Sequence, residues 1–218
     1  MTTVIELRTA GAEKLRQDIL DCTACALRKE CRGPVPWRGD LPPLPSSTNR
    51  KRVLFVGEAP GRNEDLTKRV FSGEAGILLA DCLEHIDVDQ SEVLIGNTTN
   101  CRPRDNRDPT PEEAAFCANL HLEPHLEHFR PDIVVGIGAI AARYFLPWTR
   151  TLDRVERVPY VLDRPWGSFI FFALLHPAAA LHEQRQTNRV WQGFQALRRL
   201  LDNGIPDPTP WPPDYREV

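Results

Sequence analysis

Two rhythms of apolar residues alternate along the chain. Short unbroken runs occur at Val53–Val56, Glu92–Gly96, Pro131–Gly138 and Ser168–Leu175. They are β-branched and aromatic and end at Gly, Pro or a polar residue, as buried strands do. Between them, apolar positions return at helical spacing over Ala12–Leu20, Gly73–Ile86, 110–129, a small-residue stretch from Ala139, and Thr187–Leu201. Within Gly73–Ile86 the expected buried side carries Ile77, Leu78, Leu83 and Ile86, with Cys82 as a core residue. Thr110-Pro111-Glu112-Glu113 is a helix start, with Thr as N-cap, Pro at N1 and Glu at N3 completing a capping box; Pro124 threatens a kink further on. Residues 62–71 read as a loop and 150–166 as polar and irregular.

Strands alternating with helices imply right-handed βαβ units. The expected fold is α/β: a three-layer α/β/α sandwich around a central four-stranded, mainly parallel sheet. Length suits one domain, 1–218, with a Pro-rich connecting arm at 31–50 and a Pro-rich tail at 204–218. Ligands of parallel sheets sit beyond the carboxyl ends of the strands. Those ends carry Glu58, Asn97, Gly138 and His176, so the loop from Glu58 to Phe71 is the first place to look for a site. There Gly57 and Gly61 permit close backbone approach.

Charge adds little. The formal net charge is −3, which does not announce a nucleic-acid binder, although Arg50-Lys51-Arg52, Arg102/Arg104/Arg107 and Arg185/Arg189 form local basic clusters. No apolar run reaches membrane-spanning length and the first twenty residues lack a signal-peptide core, which favours a cytoplasmic protein. Six cysteines there read as ligands, thiols or core residues rather than disulfides.

Cys22-x2-Cys25 follows a helix, which favours a metal knuckle over a redox motif, and Cys31 is a possible third ligand. With Cys101-x15-Cys117 it supplies four thiolates, suited to structural zinc or an iron–sulfur cluster, the plain alternative being buried free thiols. His176 precedes Pro177 and a short helix start. His121, His125 and His128 share one helical face, read as a charged surface rather than a metal site. Asn97 carries a donor and an acceptor suited to a base edge, or forms a turn. Phe71, in a polar loop, is a core anchor or a stacking platform.

In this order and spacing the residues resemble the family 4, iron–sulfur-containing branch of the uracil-DNA glycosylase superfamily over about residues 12–200. Gly57-Glu58-Ala59-Pro60-Gly61 is similar to its first motif and His176-Pro177-Ala178-Ala179 to its second; the Cys-Arg-Pro run and Asn106–Glu113 resemble its signature. The resemblance implies a DNA repair enzyme that hydrolyses the N-glycosidic bond of uracil. Its partner is double- or single-stranded uracil-containing DNA, met as a monomer near the nucleoid. It implies Asn97 reading uracil, Phe71 stacking on it, Gly57 and Ala59 lining the pocket, and His176 stabilising charge on the leaving base. Ala59 stands where other branches place a carboxylate or Asn. Glu58 just before it, and Glu64 and Asp65 in the same loop, are the carboxylates available, Glu58 and Glu64 being the catalytic candidates and the residue that activates the water left open. A 4Fe–4S cluster falls on Cys22, Cys25, Cys101 and Cys117, leaving out Cys31 and Cys82. The Arg usual after the second motif is His182 here, and Leu181 is taken as the DNA wedge. The competing expectations are a glycosylase for another deaminated base, a non-catalytic cluster-stabilised binding module, and an unrelated zinc protein.

Overall fold

The computed structural model describes residues 4–39 and 51–204. The rest of the arm and the tail after Gly204 lie outside the described residues. Six strands form one sheet in the order β1-β3-β2-β4-β6-β5. The four expected strands are its parallel centre: β2 (Val53–Gly57), β3 (Val93–Asn97), β4 (Ile133–Ile137) and β6 (Gly167–Leu174). Every residue of β2, β3 and β4 is buried, which is why they read as unbroken apolar runs.

Side chains alternate between the sheet's two faces. Leu54, Val56, Leu94 and Val134 meet α1 (Val4–Leu20), α5 (Glu123–Phe129) and α6 (Ala139–Phe145) through Ile19, Leu126 and Phe145. Val53, Phe55, Ile95 and Val135 meet α3 (Glu74–His85) and α8 (Thr187–Asn203) through Leu79, Leu83, Phe194 and Leu197. The result is the expected α/β/α layering.

Several expectations need correction. The sheet has six strands rather than four. β5 (Pro159–Arg164), placed in the segment read as irregular, pairs antiparallel with β6. As an edge strand it buries only alternate residues, and its Pro and charges hid it. β1 (Arg38–Gly39), in the arm, pairs antiparallel with β3. Arg62–Thr67 is a helix, α2, begun at Gly61, whose N–H donates to the Glu64 carboxylate. Ile77 is exposed, and Leu79 and Cys82 take the buried face of α3. The helix from Pro111 opens on the Thr110 capping box and reaches Phe129 as expected, with a change of hydrogen-bond pattern inside it. It runs as α4 (Pro111–Cys117), a π-helical turn at Ala118–Leu122, then α5. Pro124 has no N–H to give to the carbonyl one turn earlier, so the ladder slips by one residue there. His121 and His125 are buried rather than on a charged face; His125 packs against Trp37 with ring centroids 4.2 Å apart and planes tilted by 34°.

Candidate active site

Strand register builds the floor of the site. Gly57 ends β2 directly opposite Asn97, which ends β3. The two chains stay paired beyond the strands: Thr98 N–H and Oγ1 both donate to the Gly57 carbonyl, at 2.8 and 2.9 Å, and Thr99 N–H donates to that of Glu58 at 3.0 Å. A side chain at position 57 would collide with Asn97 Oδ1 and the Phe71 ring, so glycine is required there by close approach.

Over this floor opens a cavity of about 450 Å³. The loop after β2 and α2 supply Glu58, Ala59, Gly61 and Glu64; Phe71 and Ala75 come from the turn into α3; Asn97 comes from β3; His176, Ala178 and Ala179 come from the segment after β6. The cavity thus gathers Glu58, Ala59, Glu64, Phe71, Asn97 and His176. Gly57 lies beneath it. Leu181 does not line it but stands on the short helix α7 (Ala178–His182), 46% exposed, beyond the cavity-lining alanines.

Asn97 is buried, and among the described residues its side-chain amide has no hydrogen-bond partner. Its amide is not sealed off from solvent but opens onto the cavity, where it is free to pair with a ligand. Phe71 holds a left-handed backbone, φ 50°, which is rare for an aromatic residue. Its neighbours enforce it. Arg38 Nε donates to the Val70 carbonyl at 3.0 Å, and Glu64 Oε1 accepts from Ser72 and Gly73 N–H at 3.0 and 2.9 Å. The Phe71 ring then lies near-parallel to that of His176, centroids 5.9 Å apart and planes 20° apart.

His176 Nδ1 accepts the Ala178 N–H at 3.1 Å, so in the neutral ring the proton sits on Nε2. Burial drives its pKa down to about 4, against a small opposing pull from Glu64. A neutral imidazole with an Nε2–H donor is therefore the form present near pH 7. Glu58 is driven the other way, to about 7, by burial first and then by Asp108, with Arg143 opposing. Glu64 carries both oxygens in backbone hydrogen bonds, the third to Gly61 N–H at 3.1 Å. It lines the cavity as a loop brace, with three of its roughly four acceptor positions engaged.

Asn106 and Asp108 also line the cavity. Neither was singled out for a role, and the available signal was the Asn106–Glu113 signature run itself. Their loop is fixed by Arg107, which donates to Glu113 through Nη1 and Nη2 at 2.7 and 2.8 Å and reaches Glu30 at 3.3 Å. This arginine is a clamp rather than a free basic patch. A neighbouring groove of about 720 Å³ between the starts of α4 and α6 shares Asp108 with the cavity.

The cysteines lie to one side. Cys22 and Cys25 follow α1, Cys101 follows β3 and Cys117 ends α4; all are free thiols. Burial, and then the nearness of Cys31, Cys117 and Cys25, raises the Cys101 thiol; Cys117 is raised by burial and by Cys25 and Cys22. Cys31 therefore sits against Cys101, while Cys82 is buried in the layer of α3. Among the described residues no three His, Cys, Asp or Glu side chains converge tightly enough for a single metal ion. Cys25 lies near both Cys101 and Cys117, and Cys22 near Cys117, so the four thiols share one neighbourhood, a donor set of the kind an iron–sulfur cluster uses.

The family model described as "Uracil DNA glycosylase superfamily" matches residues 45–198. A type-4 uracil-DNA glycosylase of Archaeoglobus fulgidus is 36% identical over 196 residues, covering 87% of this chain and 93% of that protein. One of Thermotoga maritima is 38% identical over 146 residues, 67% of this chain and 69% of that protein. Among solved structures, Pedobacter heparinus SMUG2 matches with a TM-score of 0.47 and 11% identity over 87% of this chain and 97% of that one, too loose a likeness to argue from. With the matched span running from before β2 into α8, and so across every element that lines the cavity, the chain belongs to the uracil-DNA glycosylase superfamily.

Proposed function

We propose that this protein excises uracil from DNA by hydrolysing its N-glycosidic bond, leaving an abasic site for base excision repair. The observation that carries this reading is the amide of Asn97, open to a cavity that also holds Phe71 and a neutral His176.

A base inside a duplex cannot reach such a cavity, so it must swing out, at a cost of about a few kcal/mol. Leu181, exposed beside the cavity, fills the gap left behind. Phe71 stacks on the extruded ring. Asn97 accepts from uracil N3–H through Oδ1 and donates to O4 through Nδ2. Cytosine presents the opposite polarity at both atoms and would leave the amide mispaired.

As the bond between C1′ and N1 breaks, its electron pair goes to the base and positive charge builds on the sugar. The His176 Nε2–H donates to O2, where the negative charge collects. A water oxygen then bonds to C1′. The ionised Glu58 carboxylate orients that water and takes its proton. Glu64 is a positioning residue, holding the turn that presents Phe71.

Cys22, Cys25, Cys101 and Cys117 would hold a 4Fe–4S cluster. Bound there, it would supply a structural tie between the chain after α1 and the segment that begins at Asn97.

The test is abasic-site cleavage on oligonucleotides carrying U·G, U·A, single-stranded U, T·G or hypoxanthine. Product is expected with uracil alone. His176→Ala is expected to keep uracil-DNA binding and lose about a hundredfold in turnover. Equal turnover by the variant removes His176 from the chemistry, and product from hypoxanthine alone overturns the substrate.

A further inference from the structure

We propose that Asn100, held between the Cys117 sulfur and the Trp37 indole, is a positioning residue that sets the reduction potential and the lifetime of the cluster. The inference rests on the cluster reading above.

Asn100 is 3% exposed, and each of its polar groups has a partner. Its backbone N–H donates to Cys117 Sγ at 3.4 Å, and its side-chain Nδ2 donates to the same sulfur at 3.7 Å. Its Oδ1 accepts from Trp37 Nε1 at 3.0 Å, and its carbonyl accepts from Val35 N–H at 2.7 Å. No other cysteine sulfur among the described residues receives a bond from nitrogen.

The orientation of the amide is forced. An indole N–H can only donate, so it must face the amide oxygen, and the NH₂ is left facing the sulfur. Trp37 is itself held by the His125 ring packed against it at a 34° tilt and by the neighbouring strand β1. A residue of the arm thus fixes, through Asn100, two donors on one sulfur.

Such donors stabilise a thiolate and the extra electron of a reduced cluster, so they raise its potential; they also hold the ligand in place. Asn100 stands three residues from Asn97. The intervening Thr98 and Thr99 are pinned to the Gly57 and Glu58 carbonyls. The same short segment therefore carries the base-reading amide at one end and the sulfur donors at the other.

The test uses iron-loaded full-length protein and Asn100→Asp. The aspartate keeps an oxygen for Trp37 but loses the Nδ2–H donor and adds negative charge. The visible cluster band is expected to decay at least about tenfold faster under chelator, and the reduction potential to become more negative. A wild-type measurement covers the case in which the variant does not fold. Protein made with nitrogen-15 asparagine should show nitrogen coupling to the reduced cluster in pulsed EPR. Wild-type-like decay and potential in Asn100→Asp, or absence of that coupling, overturns the role of Asn100 while leaving the cluster standing. Wild-type protein that binds no iron overturns the cluster reading, and this inference with it.

Discussion

Glu58 titrates close to neutrality because it is buried beside Asp108. If its ionised form holds the attacking water, kcat/KM rises with pH through about 7. Asp108→Asn removes a repelling charge and should move that inflection to lower pH. Arg143→Gln removes an attracting one and should move it higher. Superimposable pH profiles for the three proteins would take Glu58 out of the chemistry. His176 should add no inflection above pH 5, since its pKa lies at about 4. At this scale the sequence was informative where a polar residue ends a strand, as with Glu58, Asn97 and His176, because the direction of parallel strands places such ends together. Asp108 and Asn106 were not legible as pocket residues. They reach the cavity through a loop with left-handed Asp105 and Asn106, held by its own Arg107 and by Glu30 from a distant part of the chain.

Among the elements, α2 is the one the site leans on most. It has six residues and no apolar stripe, so periodicity could not find it. Its capping glutamate looked like a catalytic candidate because loop carboxylates near a strand end often are. Three backbone N–H groups on Glu64 give it another task, the support of the left-handed Phe71. Glu64→Ala should raise KM for uracil-DNA more than it lowers kcat, and should cost about 1–2 kcal/mol of stability. A variant with unchanged KM and sharply reduced kcat would return Glu64 to the chemistry. Strands β1 and β5 escaped notice for a related reason: edge strands are short or half-polar, and only their pairing partners define them.

Over the whole molecule, burial holds several histidines neutral. His125 and His176 are lowered to about 4, and His121 is lowered in the same direction by burial. Below their ordinary value of 6.5 the unfolded chain takes up protons that the folded chain refuses, so acid favours unfolding down to about pH 4. Glu58 works in the opposite sense: raised from 4.5 to about 7, it costs stability as pH rises through that range. Three lowered groups outweigh one raised one. Chemical denaturation should therefore show lower stability at pH 5 than at pH 7, and His125→Phe, which keeps a ring against Trp37, should shrink the difference. An equal loss in the variant would assign the acid sensitivity elsewhere.

The two residues of β1 seal the outer edge of β3, and one of them, Arg38, also grips the Val70 carbonyl beside Phe71. Whatever peels this strip away does two things at once. It frees the stacking ring from its strained pose, and it bares a row of unpaired backbone groups on which a second chain can add a strand. Inactivation and self-association would then share one cause, with the first clumps forming from molecules otherwise still folded.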